Sequence, residues 1–343
     1  MSRDKHYRIT PLRVLATGLI LSGVLIIVAL ISLSLGPADI SLQDVLAWIS
    51  KYKSLDQTSE MILFKIRLPR ILLAGLVGFS LSLSGVVLQA LLRNPLAEPF
   101  ILGVSSGAAL GAITGIVFGL GSSVGVPFLS FLSALATILL VMFISSRQGG
   151  LESSTVLLTG VIVNAFFTAA IMFFITITSD SKLHSMLFWL YGDLSQSRYT
   201  QLLISLPPVL IISGIIYIFS RHLNLMAEGE GPALQMGVEV SLLKWILFLG
   251  VSLITSIVVS FSGIIGFVGL IVPHLTRMAL GSDHRLLIPA SALGGAIFMI
   301  AADTMARMIF PPSELPVGVV TAFLGAPFFI YLLKQRGSRW IQN

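Results

Sequence analysis

Ten stretches of this chain run for about twenty residues almost without charge, at approximately 13–35, 70–92, 99–119, 125–145, 155–178, 200–219, 243–262, 264–280, 286–307 and 316–334. That is the length of helix needed to cross a hydrocarbon core about 30 Å thick. Lipid offers the backbone no hydrogen-bond partner, so each crossing must satisfy its own amides, which a helix does. The expected fold is therefore an all-α polytopic membrane protein with about ten transmembrane helices. The eighth stretch is short and interrupted by glycines. Composition points the same way: 55% of residues are hydrophobic and only 10% are charged, where a soluble domain carries about 25%. So few charges do not cover a water-facing surface.

Arg3, Lys5, Arg8 and Arg13 precede or open the first apolar run, Val14 to Leu35. The run is longer than the roughly 7–15 residues of a cleaved leader and shows no convincing cleavage site, so it reads as a retained first span. An even number of spans places both termini in the cytoplasm, and well over half of the 21 Lys and Arg then fall in cytoplasmic segments. The first external loop is the exception, with Lys51, Lys53, Lys65, Arg67 and Arg70. The formal charge of +6 is scattered between apolar runs instead of gathered into a patch, which excludes a nucleic-acid binder. Without cysteine there is neither a disulfide framework nor thiolate chemistry. No linker divides the chain, so residues 1–343 read as one transmembrane domain. It has a cytoplasmic tail at 1–12, an external amphipathic stretch around Trp48 and a polar internal segment at 225–242.

A faint internal echo recurs at a fixed offset: Pro95 and Pro99 as Pro312 and Pro316, Gly78 as Gly295, and Ala109 as Ala326. An odd number of spans separates the copies, so they would be inverted relative to each other, a common transporter plan. Glycines at 103, 107, 111, 115 and 119 recur every four residues along one helix side and predict a close packing seam. Gly103-Val104-Ser105-Ser106-Gly107 also fits the Gly-x-Ser-x-Gly pattern of hydrolases. That motif requires a strand–turn–helix setting and triad partners, and neither is expected here.

Four groups of residues stand out. Arg67-Leu68-Pro69-Arg70 lies where the external loop enters the second span, and Asp303 and Arg307 lie one turn apart near the outer end of the ninth. They read either as snorkelling anchors and an i,i+4 pair or as a cationic rim of Arg67, Arg70 and Arg307 that receives an acidic partner. Arg93-Asn94-Pro95-Leu96-Ala97-Glu98-Pro99 forces non-helical backbone at a cytoplasmic mouth, suited to a gate or to a tight loop. In 226–242, a short helix starting near Pro232 and stopped by Gly237 reads as a lever for a separate motor or as a surface loop. His274 and His284 flank an internal loop with Arg277 and Arg285 and read as interface residues, since no histidine has metal-site spacing. The phosphate-cradling Gly-x-x-x-x-Gly-Lys-Ser/Thr pattern is absent from the sequence, so for ATP-driven transport another chain is expected to hydrolyse the nucleotide, with this one a transport subunit and not an enzyme.

These pieces together resemble the FecCD family, the permease subunits of binding-protein-dependent importers for iron siderophores, haem and vitamin B12. The likeness is densest at Arg67–Ala112, at Gly229–Val238 and from Ser262 to Leu333. The last region includes Gly263-Ile264-Ile265-Gly266-Phe267-Val268-Gly269-Leu270-Ile271-Val272-Pro273-His274, Ser282-Asp283-His284-Arg285 and Glu314-Leu315-Pro316-Val317-Gly318. The resemblance implies docking of a periplasmic or lipid-anchored binding protein at Arg67, Arg70 and Arg307. It implies a cytoplasmic gate at Asn94 and Leu96 with a second element at Ser153 and Ser154. It further implies ATPase coupling through Glu230, Ala233, Leu234, Gln235, Met236 and Gly237. The expected assembly is a homodimer with two ATPase subunits in a bacterial or archaeal cytoplasmic membrane, with no cofactor or metal. Gly231-Pro232 departs from the family pattern and would shift the start of the coupling helix. An oxyanion such as molybdate is an alternative cargo. A secondary transporter would need ionisable groups at mid-membrane, where the span centres offer little beyond Asn164. An intramembrane enzyme would need a convergent acid, base or metal cluster.

Overall fold

The computed structural model describes residues 9–38, 40–41, 43–45, 56–146, 152–311 and 313–340. The tail before residue 9, the stretch around Trp48, and Pro312 with its echo of Pro95 lie outside them. The helices, in chain order, are α1 (Pro11–Ser34), α2 (Gln57–Leu91), α3 (Val104–Val117), α4 (Gly125–Ser145), α5 (Ser153–Ile177), α6 (Asp180–Tyr191), α7 (Tyr199–Ile218), α8 (Ser220–Glu228), α9 (Glu230–Gln235), α10 (Val240–Ser262), α11 (Val268–Leu280), α12 (His284–Met308) and α13 (Val317–Trp340). There is no strand among the described residues. Seven helices (α1, α2, α4, α5, α7, α10 and α12) are long and apolar enough to cross a membrane. The shorter apolar helices α3, α11 and α13 occupy the other three expected crossings. The all-α plan of about ten spans holds.

The central element is α2. From Pro69 to Leu91 nearly every residue is buried, as befits a helix that is apolar all round. Its first turns include a π-helical stretch, Ile62–Arg67, a feature that often marks functional positions. By contrast α1 lies on the outside, with Ser32 its one fully buried residue. The most extensive packing is between α2 and α12, and the two run antiparallel: Arg70, in the first half of α2, meets Asp303 near the end of α12. Midway, Gly78 and Gly295 touch backbone to backbone, and a methyl group on either would overlap the other's carbonyl. Without a hydrophobic drive between helices in lipid, such small-residue contacts allow the close approach that holds them together.

Gly78 and Gly295 are also an echoed pair. The offset of 217 residues between them carries Leu68–Leu91 onto 285–308, nearly the span of α12. Two antiparallel helices that touch at equivalent residues are what a two-fold axis lying in the membrane plane would generate.

The four-residue glycine repeat on α3 forms its seam against α4. Side chains at Gly107 and Gly111 would overlap Thr137, and Leu129 with Ser133, respectively. Gly119 lies beyond the helix end and meets nothing. Between α10 and α11 the chain unwinds over Gly263–Phe267. Gly263 (φ 68°) and Phe267 (φ 69°) both take left-handed backbone, which is costly for a bulky residue. Non-helical backbone inside a membrane must find partners in protein. Here the Ile264 amide donates to Trp189 O (3.3 Å), and the Asp193 amide to Ser262 O (2.9 Å).

Candidate functional site

The functional candidates collect at opposite ends of the bundle, one marked by Arg70 and the other by Arg93. At the Arg70 end the three arginines converge. Arg67 donates to the carbonyls of Leu33 (2.7 Å), Ser34 (3.2 Å) and Ala38 (2.6 Å). Arg307 donates to Leu35 O (3.1 Å) and Ser32 Oγ (2.8 Å). These groups belong to the last turn of α1 and the residues just after it, where helix carbonyls lack internal partners and the dipole favours a cation. Gly36 makes room for the guanidinium, since a Cβ there would lie 2.5 Å from Arg67 Nη2. Arg70 pairs through Nε with Asp303 (3.0 Å) and through Nη1 with Glu314. Arg307 Nε lies 3.2 Å from the same Asp303, the i,i+4 pair expected from spacing. Sequence reading expected a rim open to a partner. The structure gathers the three arginines but turns them inward, each only 3–4% exposed. Glu314, about a third exposed, is the outermost charge of the group.

At the Arg93 end, the turn after α2 is held by Asn94, whose Oδ1 accepts the Leu96 amide (2.9 Å) while its carbonyl accepts that of Ala97 (3.0 Å). Leu96 stands out into the mouth, 37% exposed. Ser153, opening α5, donates to Leu91 O (3.4 Å), so the two expected gate elements abut. Ser154 instead bonds locally to Glu152 (2.8 Å). Glu98 reaches the α10–α11 break, where it accepts the Phe267 amide, and burial pushes its carboxyl up to about 7. Its Oε2 is buried without a partner. Beside this turn a cavity of about 460 Å³ opens between α3, α5 and the break, lined mostly by apolar side chains, with Ser105, Asn164 and Thr168 among its polar ones. The Ser105 hydroxyl is buried and unpartnered.

The polar segment 225–242 covers the end of α8, all of α9 and the start of α10, and α8 with α9 forms an arm. Helix α9 begins at Glu230, two residues before the expected start. Pro232 sits in its first turn, where the missing amide costs nothing, and the left-handed Gly237 (φ 83°) ends it. Lys244 anchors the arm by donating to Glu230 (2.7 Å). Ala233 faces inward while Leu234 (59%) and Met236 (70%) are exposed, as is Gln235. The expectation that His274 and His284 form an exposed interface does not hold: they are 6% and 4% exposed. Helix packing encloses His274 against Phe328 and Phe329, and His284 against Asn224 of α8. Asp283 caps α12, and its carboxyl is held down at about 2, chiefly by hydrogen bonds from Arg285.

The sequence profile of the FecCD transport family matches residues 24–335. The chain belongs to the FecCD transport family. Similar proteins include the cobalamin import system permease protein BtuC of Halobacterium salinarum, 43% identical over 82% of this FecCD chain and 76% of that protein. The molybdate import system permease protein MolB of Haemophilus influenzae is 38% identical over 92% and 96%. A solved structure described as an inward-facing conformation of a metal-chelate type ABC transporter superposes with a TM-score of 0.82 at 36% identity, covering 93% of this chain and 98% of that one.

Sequence reasoning missed Asn224 and the burial of the arginines. An asparagine in a polar segment carries no periodic signal, and charge next to a loop gives no sign of facing inward.

Proposed function

We propose that this FecCD permease carries a metal chelate, of the iron siderophore, haem or vitamin B12 kind, inward across a bacterial or archaeal cytoplasmic membrane. It works as a homodimer with two ATP-hydrolysing subunits and a periplasmic or lipid-anchored binding protein. Both termini, and with them the Arg93 end, face the cytoplasm. The observation that carries this reading is α9: a braced helix presenting Leu234, Gln235 and Met236 outward at the mouth that also holds Asn94 and Leu96. Apolar side chains displayed on a polar arm suit the buried centre of a protein interface. The largely apolar lining of the cavity beside α5, with a few hydroxyls and one amide, suits a bulky amphiphilic solute. The relative named for molybdate favours a second cargo, an oxyanion, carried by the same machinery.

The test exploits the cysteine-free sequence. Met236→Cys should react with a bulky maleimide in the isolated permease and be protected once the ATPase binds. Equal labelling in both states would remove α9 from the coupling site. Substrate-loaded binding proteins for the candidate cargoes then decide which is taken up.

Docking of the binding protein at Arg67, Arg70 and Arg307 requires an acidic partner to compete with Glu314, the exposed internal counter-charge. Glu314→Gln keeps all three arginines. It should raise binding-protein affinity a few-fold, about 0.5–1 kcal/mol for a partly exposed pair. An unchanged affinity would take the arginine cluster out of docking.

A further inference from the structure

The inference rests on the reading of α8–α9 as the ATPase-facing arm and adds the joint by which that arm moves the bundle. Asn224 lies on α8, and its one amide group holds the start of α12. Its Oδ1 accepts the His284 backbone amide (2.8 Å) and lies 2.7 Å from His284 Nδ1. Its Nδ2 donates to Asp283 Oδ1 (3.0 Å). The first amides of a helix have no internal partners, and here two residues share them: Asp283 takes the Arg285 amide (3.0 Å), and Asn224, from a different helix, takes that of His284. Only a side chain that donates and accepts at once fits this position. Aspartate would set two carboxylates against each other, and serine is too short to bridge both groups.

Beyond the joint, α12 is a rod of 25 residues, about 38 Å long. It is locked to α2 at Gly78–Gly295, and its far end carries the Asp303 and Arg307 that hold Arg70 and the end of α1. Packed helices shift as units between discrete arrangements instead of bending continuously. We propose that Asn224 is a positioning residue that passes displacement of the coupling arm to α12 and so to the arginine cluster on the opposite face.

The experiment uses the full-length permease in proteoliposomes with its ATPase and binding protein. Substrate taken up per ATP hydrolysed and ATPase co-purification are read together. Asn224→Asp should still co-purify with the ATPase but lose about tenfold in uptake per ATP, the scale of one buried charge–polar contact turned repulsive. Adding Asp283→Asn restores one carboxylate facing one amide across the same joint, and coupling should return to within about threefold of the starting protein. Should Asn224→Asp fail to assemble, Asn224→Ser, which adds no charge, is expected to lower uptake per ATP several-fold. Wild-type coupling in both Asn224→Asp and Asn224→Ser overturns the proposal, as does a double variant that stays as uncoupled as Asn224→Asp. An unmodified permease that never binds the ATPase would instead sink the reading of the arm and leave the joint's geometry as found.

Discussion

Arg67 shows how a residue's role depends on what surrounds it. Five basic residues in one loop expected to be external run against the usual orientation bias, and a docking surface is one way to account for them. Arg67 also closes off α1: its guanidinium serves three carbonyls at and beyond that helix's end. Replacing it by glutamine leaves three part-buried carbonyls short of donors, and Arg67→Gln should lower stability by about 1–3 kcal/mol. The check is thermal unfolding in detergent, where an unchanged melting temperature would contradict the cap. Glu98 makes a second prediction. Its folded pKa of about 7 lies above that of the unfolded chain, so its contribution favours folding at acid pH and is lost as pH rises through 7. Relative to the starting protein, Glu98→Gln should therefore melt later at pH 8 and close to unchanged at pH 5, and an equal effect at both would contradict the burial of this carboxyl. The i,i+4 pairing of Asp303 and Arg307 was legible from spacing alone. Which side of a helix end faces inward was not, because that depends on α1 arriving from far away in sequence.

Among the elements, small residues proved the most readable. The repeat on α3 predicted a seam, and α4 fills it. The echoed Gly78 and Gly295 predicted kinship, and they turn out to be in contact as well. Gly78→Val should therefore separate α2 from α12 and destabilise the bundle by about 1–3 kcal/mol or more, the usual cost of overpacking a tight site. The same substitution at Gly119, which meets nothing, is limited to the strain of its left-handed backbone. A melting series in detergent ranks the two, and equal loss would deny the contact its role. Helix α9 was placed within two residues by its proline and glycine. The remaining error arose because proline is tolerated anywhere in a first turn, so it does not mark the first residue. The unwound Gly263–Phe267 stretch announced itself through its glycines, but Phe267 in left-handed backbone did not, since no local rule favours it.

For the molecule as a whole, the all-helical plan of about ten crossings follows from hydropathy because lipid leaves the backbone so few options. The cargo does not follow, because the cavity beside α5 is walled mostly by apolar groups with a few hydroxyls and one amide, a lining that selects weakly. If that cavity lies on the route, Ser105→Leu should slow uptake of a large solute more than of a small one, with the permease still inserted and assembled. Transport of two cargoes of different size by the same variant is the measurement, and equal slowing would place the route elsewhere. The crossing of α2 and α12 has a mechanical consequence. Two stiff bars pinned where neither can slip behave like a pair of shears. The pin, at Gly78, lies about 12 Å along α2 from Arg70 and about 20 Å from Leu91, where the helix ends. A given tilt therefore swings the longer blade roughly one and a half times as far as the shorter, so an excursion at one face of the membrane arrives at the other as a smaller and more forceful one.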